Sequence, residues 1–280
     1  MSIEAQSTVR ELAHALYPGP DWNAAHMDEG GQFHRVLVAE NEAVMRMSRT
    51  PQAARHMQRR VDLVGSLAGR FSFRLPTALS PVWHGAEFSA VIQRYVPGTA
   101  HRPRTGDAAS LRRILDELAS VDVRPLEDLL SRPFSFRGPW TAAKVAATMG
   151  ALPPDLRAPA RRVLGTVASF AQVPASLVHG DLAGHNMRWS EGRLLGVLDW
   201  DLAAAWDPAL NTAYLALWHG EGFIEAIAPS PDVAWRARVW LGAMNLESVF
   251  DATLDPGKDI DALVRKIRPR LAMAARAADS

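Results

Sequence analysis

Leu177-Val178-His179-Gly180-Asp181-Leu182-Ala183-Gly184-His185-Asn186, followed thirteen residues later by Asp199-Trp200-Asp201, is the stretch that decides the reading of this chain. Each polar loop is flanked by an apolar, strand-like run, Leu177-Val178 before the first and Leu194-Leu195-Gly196-Val197-Leu198 before the second. Two short loops therefore present a carboxylate, a carboxamide and a second carboxylate. Phosphoryl transfer from a nucleotide needs that set. One carboxylate takes the proton of the attacking hydroxyl, while an amide oxygen and another carboxylate hold the cation that neutralises the phosphates. Asp181 and Asn186 are five residues apart, close enough for one loop to carry both, and Asp199 closes a buried strand. A plain strand-to-loop turn would explain one aspartate but not the second loop. A metal-dependent phosphoesterase would want an upstream Asp-x-His and later histidines, which this sequence lacks.

Composition is compatible with that chemistry and narrows the setting. The 280 residues fit one large or two small domains, and 48% hydrophobic residues supply an ample core. No apolar run approaches the roughly 20 residues of a membrane span. The start, Met1-Ser2-Ile3-Glu4, does not read as a signal peptide. With no cysteine, disulfides, thiolate catalysis and cysteine metal sites are excluded. A cytoplasmic protein, acting on neither nucleic acid nor membrane, is the expectation. The net charge of +1 hides an asymmetry: twelve acids against four bases between Ser190 and Ala262 leave an excess of eight negative charges.

Hydrophobic periodicity divides the chain in two. A helix over about 3–16 precedes short strands between Trp22 and Met47, with Gly30-Gly31 between the first two and Ala43–Met47 as the third. Thr50-Pro51 opens a basic helix to about Leu67. Strands follow near Ser80–Trp83 and Ser89–Arg94, and from about Asp107 helices dominate except around 177–201. The expected division is a β-rich nucleotide lobe over 1–95 and a helical lobe over 96–280 with the catalytic loop and acceptor site.

His179-Gly180-Asp181 with Asn186, then Leu198-Asp199-Trp200-Asp201 and Asp207-Pro208, resembles the aminoglycoside phosphotransferase and choline kinase family, small-molecule kinases similar to protein kinases. The resemblance implies an α+β, bilobal protein-kinase-like fold and a Mg²⁺-dependent kinase drawing on ATP or GTP. It makes Asp181 the catalytic base, Asn186 and Asp199 the metal ligands, and His179 a brace for the loop. Gly30, Gly31, Gln32 and Phe33 would cover the phosphates, since glycines let backbone amides approach phosphate oxygens. Gln93, Tyr95 and Val96 fall where the hinge would meet the nucleotide base. The family's third-strand lysine is missing, because no lysine precedes Lys144; Arg46 and Arg49 are the candidates for its place. Arg60 stands where the following helix normally carries a glutamate, and Asp62 is on another face, so the usual ion pair is in doubt. Asn211 likewise replaces an acid. Asp207 and the tryptophans at 206, 218, 235 and 240 read as structural, with one indole at an acceptor pocket left open.

Glu29–His34 and Arg49-Thr50 are similar, more narrowly, to kinases that inactivate the cyclic peptide antibiotics viomycin and capreomycin. That implies a cationic acceptor, with Asp201, Glu221, Glu247 and Asp251 as substrate contacts in the acidic region, and antibiotic resistance as the role. An aminoglycoside or macrolide kinase, a housekeeping choline-like kinase and a catalytically dead binding module are the alternatives. Acceptor, nucleotide preference and oligomeric state are not legible.

Overall fold

A computed structural model describes residues 3–134 and 137–279; Met1 and Ser2, part of the signal-peptide reading, lie outside them. The fold is α+β and kinase-like, with a small antiparallel-sheet unit and a larger helical unit. The first unit runs to Ala100 and takes in His185–Trp200; the second comprises His101–Gly184 and Asp201 onward.

In chain order the first unit carries α1 (Ile3–Leu16), β1 (His26–Asp28), β2 (His34–Ala39), β3 (Ala43–Ser48), α2 (Pro51–Leu67), β4 (Trp83–His84) and β5 (Ser89–Arg94). The second unit adds α3 (Ala108–Ala119), α4 (Ala142–Ala151), α5 (Pro154–Ser169) and β6 (Ser176–Val178). The hairpin β7 (Met187–Ser190) and β8 (Arg193–Val197) returns to the first unit. Finally β9 (Ala204–Trp206), α6 (Ala209–His219), α7 (Ile224–Ile227), α8 (Pro231–Thr253) and α9 (Ile260–Ala278) complete the second.

The five-stranded sheet has the order β1-β2-β3-β5-β4 and is antiparallel throughout. Alternation explains its core. On β3, Ala43, Met45 and Met47 point inward to Leu37, Ile92 and Val9 of α1, while Arg46 points the other way. Thr50 caps α2 by accepting the Ala53 amide at 3.1 Å, with Pro51 at the first helical position. The strand expected over Ser80–Trp83 shrinks to Trp83–His84. Pro81 offers no donor, and Ser80 instead accepts the Ile92 amide through Oγ at 3.0 Å.

In the helical unit α8 packs against α4, α5, α6 and α9, and its central residues from Val239 to Leu246 are almost all buried. Asp207 anchors this packing. It is 1% exposed and accepts Arg236 Nε at 3.1 Å, Trp240 Nε1 at 2.7 Å and the Ala209 amide at 3.0 Å. It therefore does more than start α6: it satisfies two buried donors on α8. Among the described residues no helix is long and apolar enough to cross a membrane.

Candidate active site

The two residues expected to hold a metal, Asn186 and Asp199, belong to the first unit. Met187 pairs with Val197 at the open end of the β7–β8 hairpin, and the Leu198 amide donates to the Asn186 carbonyl at 2.7 Å. Asn186 and Asp199 are thereby held at the same end of one hairpin. Asn186 is buried, while the Asp199 side chain is 46% exposed. Asp199 has φ +58, a left-handed conformation that aspartate tolerates better than most residues. Trp200 holds it there. Its indole is 2% exposed, donates to the Val197 carbonyl at 3.1 Å and stacks on Phe71 at 5.6 Å.

Arg46 reaches this point from the solvent side of β3, its Nη2 donating to Asp199 Oδ1 at 2.8 Å. The same nitrogen lies 3.0 Å from His34 Nδ1. A guanidinium only donates, so Nδ1 accepts and the His34 proton sits on Nε2. Burial, then the charges of Arg46 and Arg60, push His34 down from 6.5 to about 2, so its ring is neutral. Arg49 does different work. It donates to the carbonyls of Glu29 and Gly31 at 2.8 and 2.6 Å and so ties down the glycine loop. In that loop a side chain at Gly31 would meet the His34 carbonyl at 2.4 Å, and the Gly30 amide donates to Asp28. Gln32 and Phe33 complete the turn before β2. Asp62 on α2 is exposed and accepts from Gln58 at 2.8 Å, so the partner of Arg46 is Asp199 rather than an acid of α2. Gln93 is buried in β5; Tyr95 and Val96 follow it, with Val96 against Gly196 of β8.

The loop expected to carry the base, Asp181, belongs to the second unit. His179 is fully buried, and its Nδ1 accepts the Asp181 amide at 3.2 Å, so the ring shapes the loop. Asn211 of α6 accepts the His179 amide and donates to the Leu177 carbonyl, at 3.0 and 2.9 Å. A carboxamide does here, with one donor and one acceptor, what a carboxylate could not do for a carbonyl. Gly180 has φ +85, and a Cβ there would sit 2.4 Å from the Leu202 carbonyl oxygen, so only glycine fits between loop and backbone. Gly184 lies against the Trp218 indole in the same way. Asp181 is half-buried and His185 exposed.

Beside Gly180 a pocket with an empty volume of about 600 Å³, counted to its open mouth, is walled by Phe134, Trp140, Trp206, Tyr214 and Trp240. Burial, then the charges of Asp181 and Glu247, push the Tyr214 phenol up, so it stays protonated. Sequence reasoning passed over Phe134 and Trp140, just before α4, and Tyr214 on α6, which share no motif. The four acids expected at a substrate site fare differently. Glu247 faces the pocket but pairs with Lys144 Nζ and Arg137 Nη1, each at 3.4 Å. Asp251 pairs with Arg137 Nε at 2.7 Å and Glu221 with Arg270 Nε at 2.8 Å. Asp201 is buried in the turn after Trp200, its carbonyl accepting from Ser131 at 3.0 Å, and does not line the pocket.

The kinase-like fold and the family to which the chain belongs make it a phosphotransferase acting on hydroxyl groups. The chain belongs to the phosphotransferase enzyme family (APH), whose model matches residues 28–238. It is 29% identical to viomycin phosphotransferase of Streptomyces vinaceus over 237 residues, covering 76% of this chain and 80% of that protein. Its fold is similar to the GDP and kanamycin complex of APH(2")-IIia, with TM-score 0.75, 16% identity and coverage of 95% of this chain and 98% of that one. It is also similar to macrolide 2'-phosphotransferase MphH from Brachybacterium faecium, with TM-score 0.65, 20% identity and coverage of 99% and 98%.

Proposed function

We propose that this chain transfers the γ-phosphate of ATP or GTP to a hydroxyl of an antibiotic, and so confers resistance. The observation that carries the reading is the division of donors. The hairpin end offers two hard oxygen donors, from Asn186 and Asp199, beside a guanidinium, while the loop of Asp181 offers a carboxylate on a rigid backbone. Among the described residues no group of three or more His, Asp or Glu forms a metal cage. Two protein oxygens completed by nucleotide phosphates suit Mg²⁺, which is commonly held by one or two carboxylates plus phosphates. The donor set fits: Asn186 and Asp199 would hold the ion, which when bound neutralises charge on the phosphates. Arg46 orients Asp199 and supplies the positive charge for phosphate that a lysine usually brings. Arg49, Gly30, Gly31, Gln32 and Phe33 shape the phosphate loop, and Gln93, Tyr95 and Val96 lie where the base would be read. Asp181 takes the proton of the acceptor hydroxyl as it attacks.

A cationic cyclic peptide of the viomycin and capreomycin class is the acceptor to test first, on the strength of the viomycin phosphotransferase relative. Aminoglycosides and macrolides come next, given what the structural relatives act on. Asp201, Glu221, Glu247 and Asp251 were candidates for attracting such a cation, but Glu221, Glu247 and Asp251 each pair with a base of the helical unit and Asp201 is buried. Incubation with γ-labelled ATP or GTP, Mg²⁺ and a panel of these compounds should label one of them. A panel with no labelled antibiotic, but labelled choline, would move the reading to a metabolite kinase.

A further inference from the structure

The aromatic pocket is already supplied with charge. Lys144 is 5% exposed, with its ammonium 4.5 Å over the Trp140 ring and 5.3 Å from that of Phe250. It also donates to the carbonyls of Arg137 and Gly138 at 3.2 Å each. The face of Trp140 that would attract a foreign cation is thus occupied by the chain's own. Glu247 and Asp251 are matched by Lys144 and Arg137, so the four charges cancel locally. At the mouth the exposed Arg132 has no carboxylate partner among the described residues, which adds one positive charge. A polycation entering would find Glu247 and Asp251 already matched and would meet Arg132, with the carboxylate of Asp181, given over to the acceptor hydroxyl, at the Gly180 side. What remains is apolar surface: Phe134, Trp206 and Trp240 packed edge to face, with Leu210 and Met244 beside them and the neutral Tyr214 hydroxyl as a polar handle.

We propose that this pocket takes an uncharged, apolar, ring-bearing portion of the acceptor, and that the acceptor's positive charges stay outside it. Stacking and area burial then select the acceptor, and Tyr214 orients it by a hydrogen bond next to the Gly180-Asp181 loop. This rests on the phosphotransferase reading, since it makes the pocket part of the acceptor site.

The test uses the whole chain without nucleotide and two probes, 2-naphthylmethanol as a neutral ring alcohol and spermidine as a polycation, followed by ligand-detected NMR. Naphthylmethanol should bind saturably, with an affinity unchanged between about 20 and 300 mM salt. Tyr214→Phe should weaken it by about threefold to tenfold, the loss of one hydrogen bond. Met244→Trp, which fills the pocket, should weaken it by at least about tenfold. Thermal melts run in parallel establish that both variants are folded, and Tyr214→Phe keeps the test open if Met244→Trp is not. Spermidine displacing naphthylmethanol, or a neutral probe whose binding neither variant changes, would overturn the proposal. Phosphate transfer is assayed separately. Naphthylmethanol binding with the expected variant effects, but no transfer to any hydroxyl from ATP or GTP, would contradict the kinase reading and leave the pocket's chemistry standing.

Discussion

The hairpin end that carries Asn186 and Asp199 and the aromatic pocket beside Gly180 are built on opposite plans. The first is polar, small and fixed by backbone: one amide-to-carbonyl bond, one buried indole and one guanidinium set it. The second is broad and apolar, assembled from loop, strand and helix residues over more than a hundred positions, and its charges serve each other. Phosphate is the same in every nucleotide, so the hairpin end needs only hard oxygens and a cation. The acceptor varies, so selectivity would lie in the pocket rather than at the hairpin end.

The largest expected effect separates chemistry from binding. Asp181→Asn removes the proton acceptor with little change in shape and should lower the transfer rate by roughly 10²–10⁴. Nucleotide affinity, set by the other region, should stay within about twofold. Turnover within about threefold of the parent under saturation would assign the base elsewhere. Next, Asp207→Ala should destabilise the helical unit by about 3 kcal/mol in urea unfolding, because it leaves the buried Arg236 only the exposed Asp232 and orphans the Trp240 indole nitrogen. A shift below about 1 kcal/mol would show that solvent replaces the carboxylate at no cost.

Arg46→Ala tests the hairpin region from the side of β3. Loss of a charged hydrogen-bonding group should cost about 1.5–3 kcal/mol of nucleotide affinity, or roughly tenfold to a hundredfold, in calorimetry. Arg49→Ala acts only through the loop carbonyls and should cost less; the reverse ranking would exchange the two assignments. The smallest effect is a pH dependence. His34 is neutral when folded, with its pKa depressed from 6.5, so the unfolded chain takes up the extra proton as pH falls. Stability from this residue is complete above 6.5 and declines below it. At pH 5.5 the loss is about 1.4 kcal/mol. His34→Asn should flatten that slope in denaturant midpoints, and an unchanged slope would place the titration in another group.

These two regions also differ in how far the sequence disclosed them. His179-Gly180-Asp181 are contiguous in one unit, and Asn186 and Asp199 close one hairpin of the other, so each group was legible from local spacing. The capping Thr50-Pro51 and the pairing strands of the sheet were readable for the same local reason. The pocket was not, because Phe134, Trp140, Tyr214 and Glu247 meet only through the packing of α4, α6 and α8. The acidic excess between Ser190 and Ala262 shows the limit most clearly. Counting along the chain leaves out Arg137, Lys144 and Arg270, whose charges cancel the acids from outside that window.

Mg²⁺ titration of Asp199→Ala tests the central claim, that the hairpin end holds the metal and phosphates while the helical unit handles the acceptor. Transfer to the labelled acceptor and binding of Mg²⁺–nucleotide are followed together with binding of acceptor alone. Asp199→Ala should lose Mg²⁺-dependent nucleotide binding and transfer, while acceptor affinity stays within about twofold of the parent. An Asp199→Ala protein with the parent's Mg²⁺ requirement and a rate within about threefold of it would place the metal elsewhere.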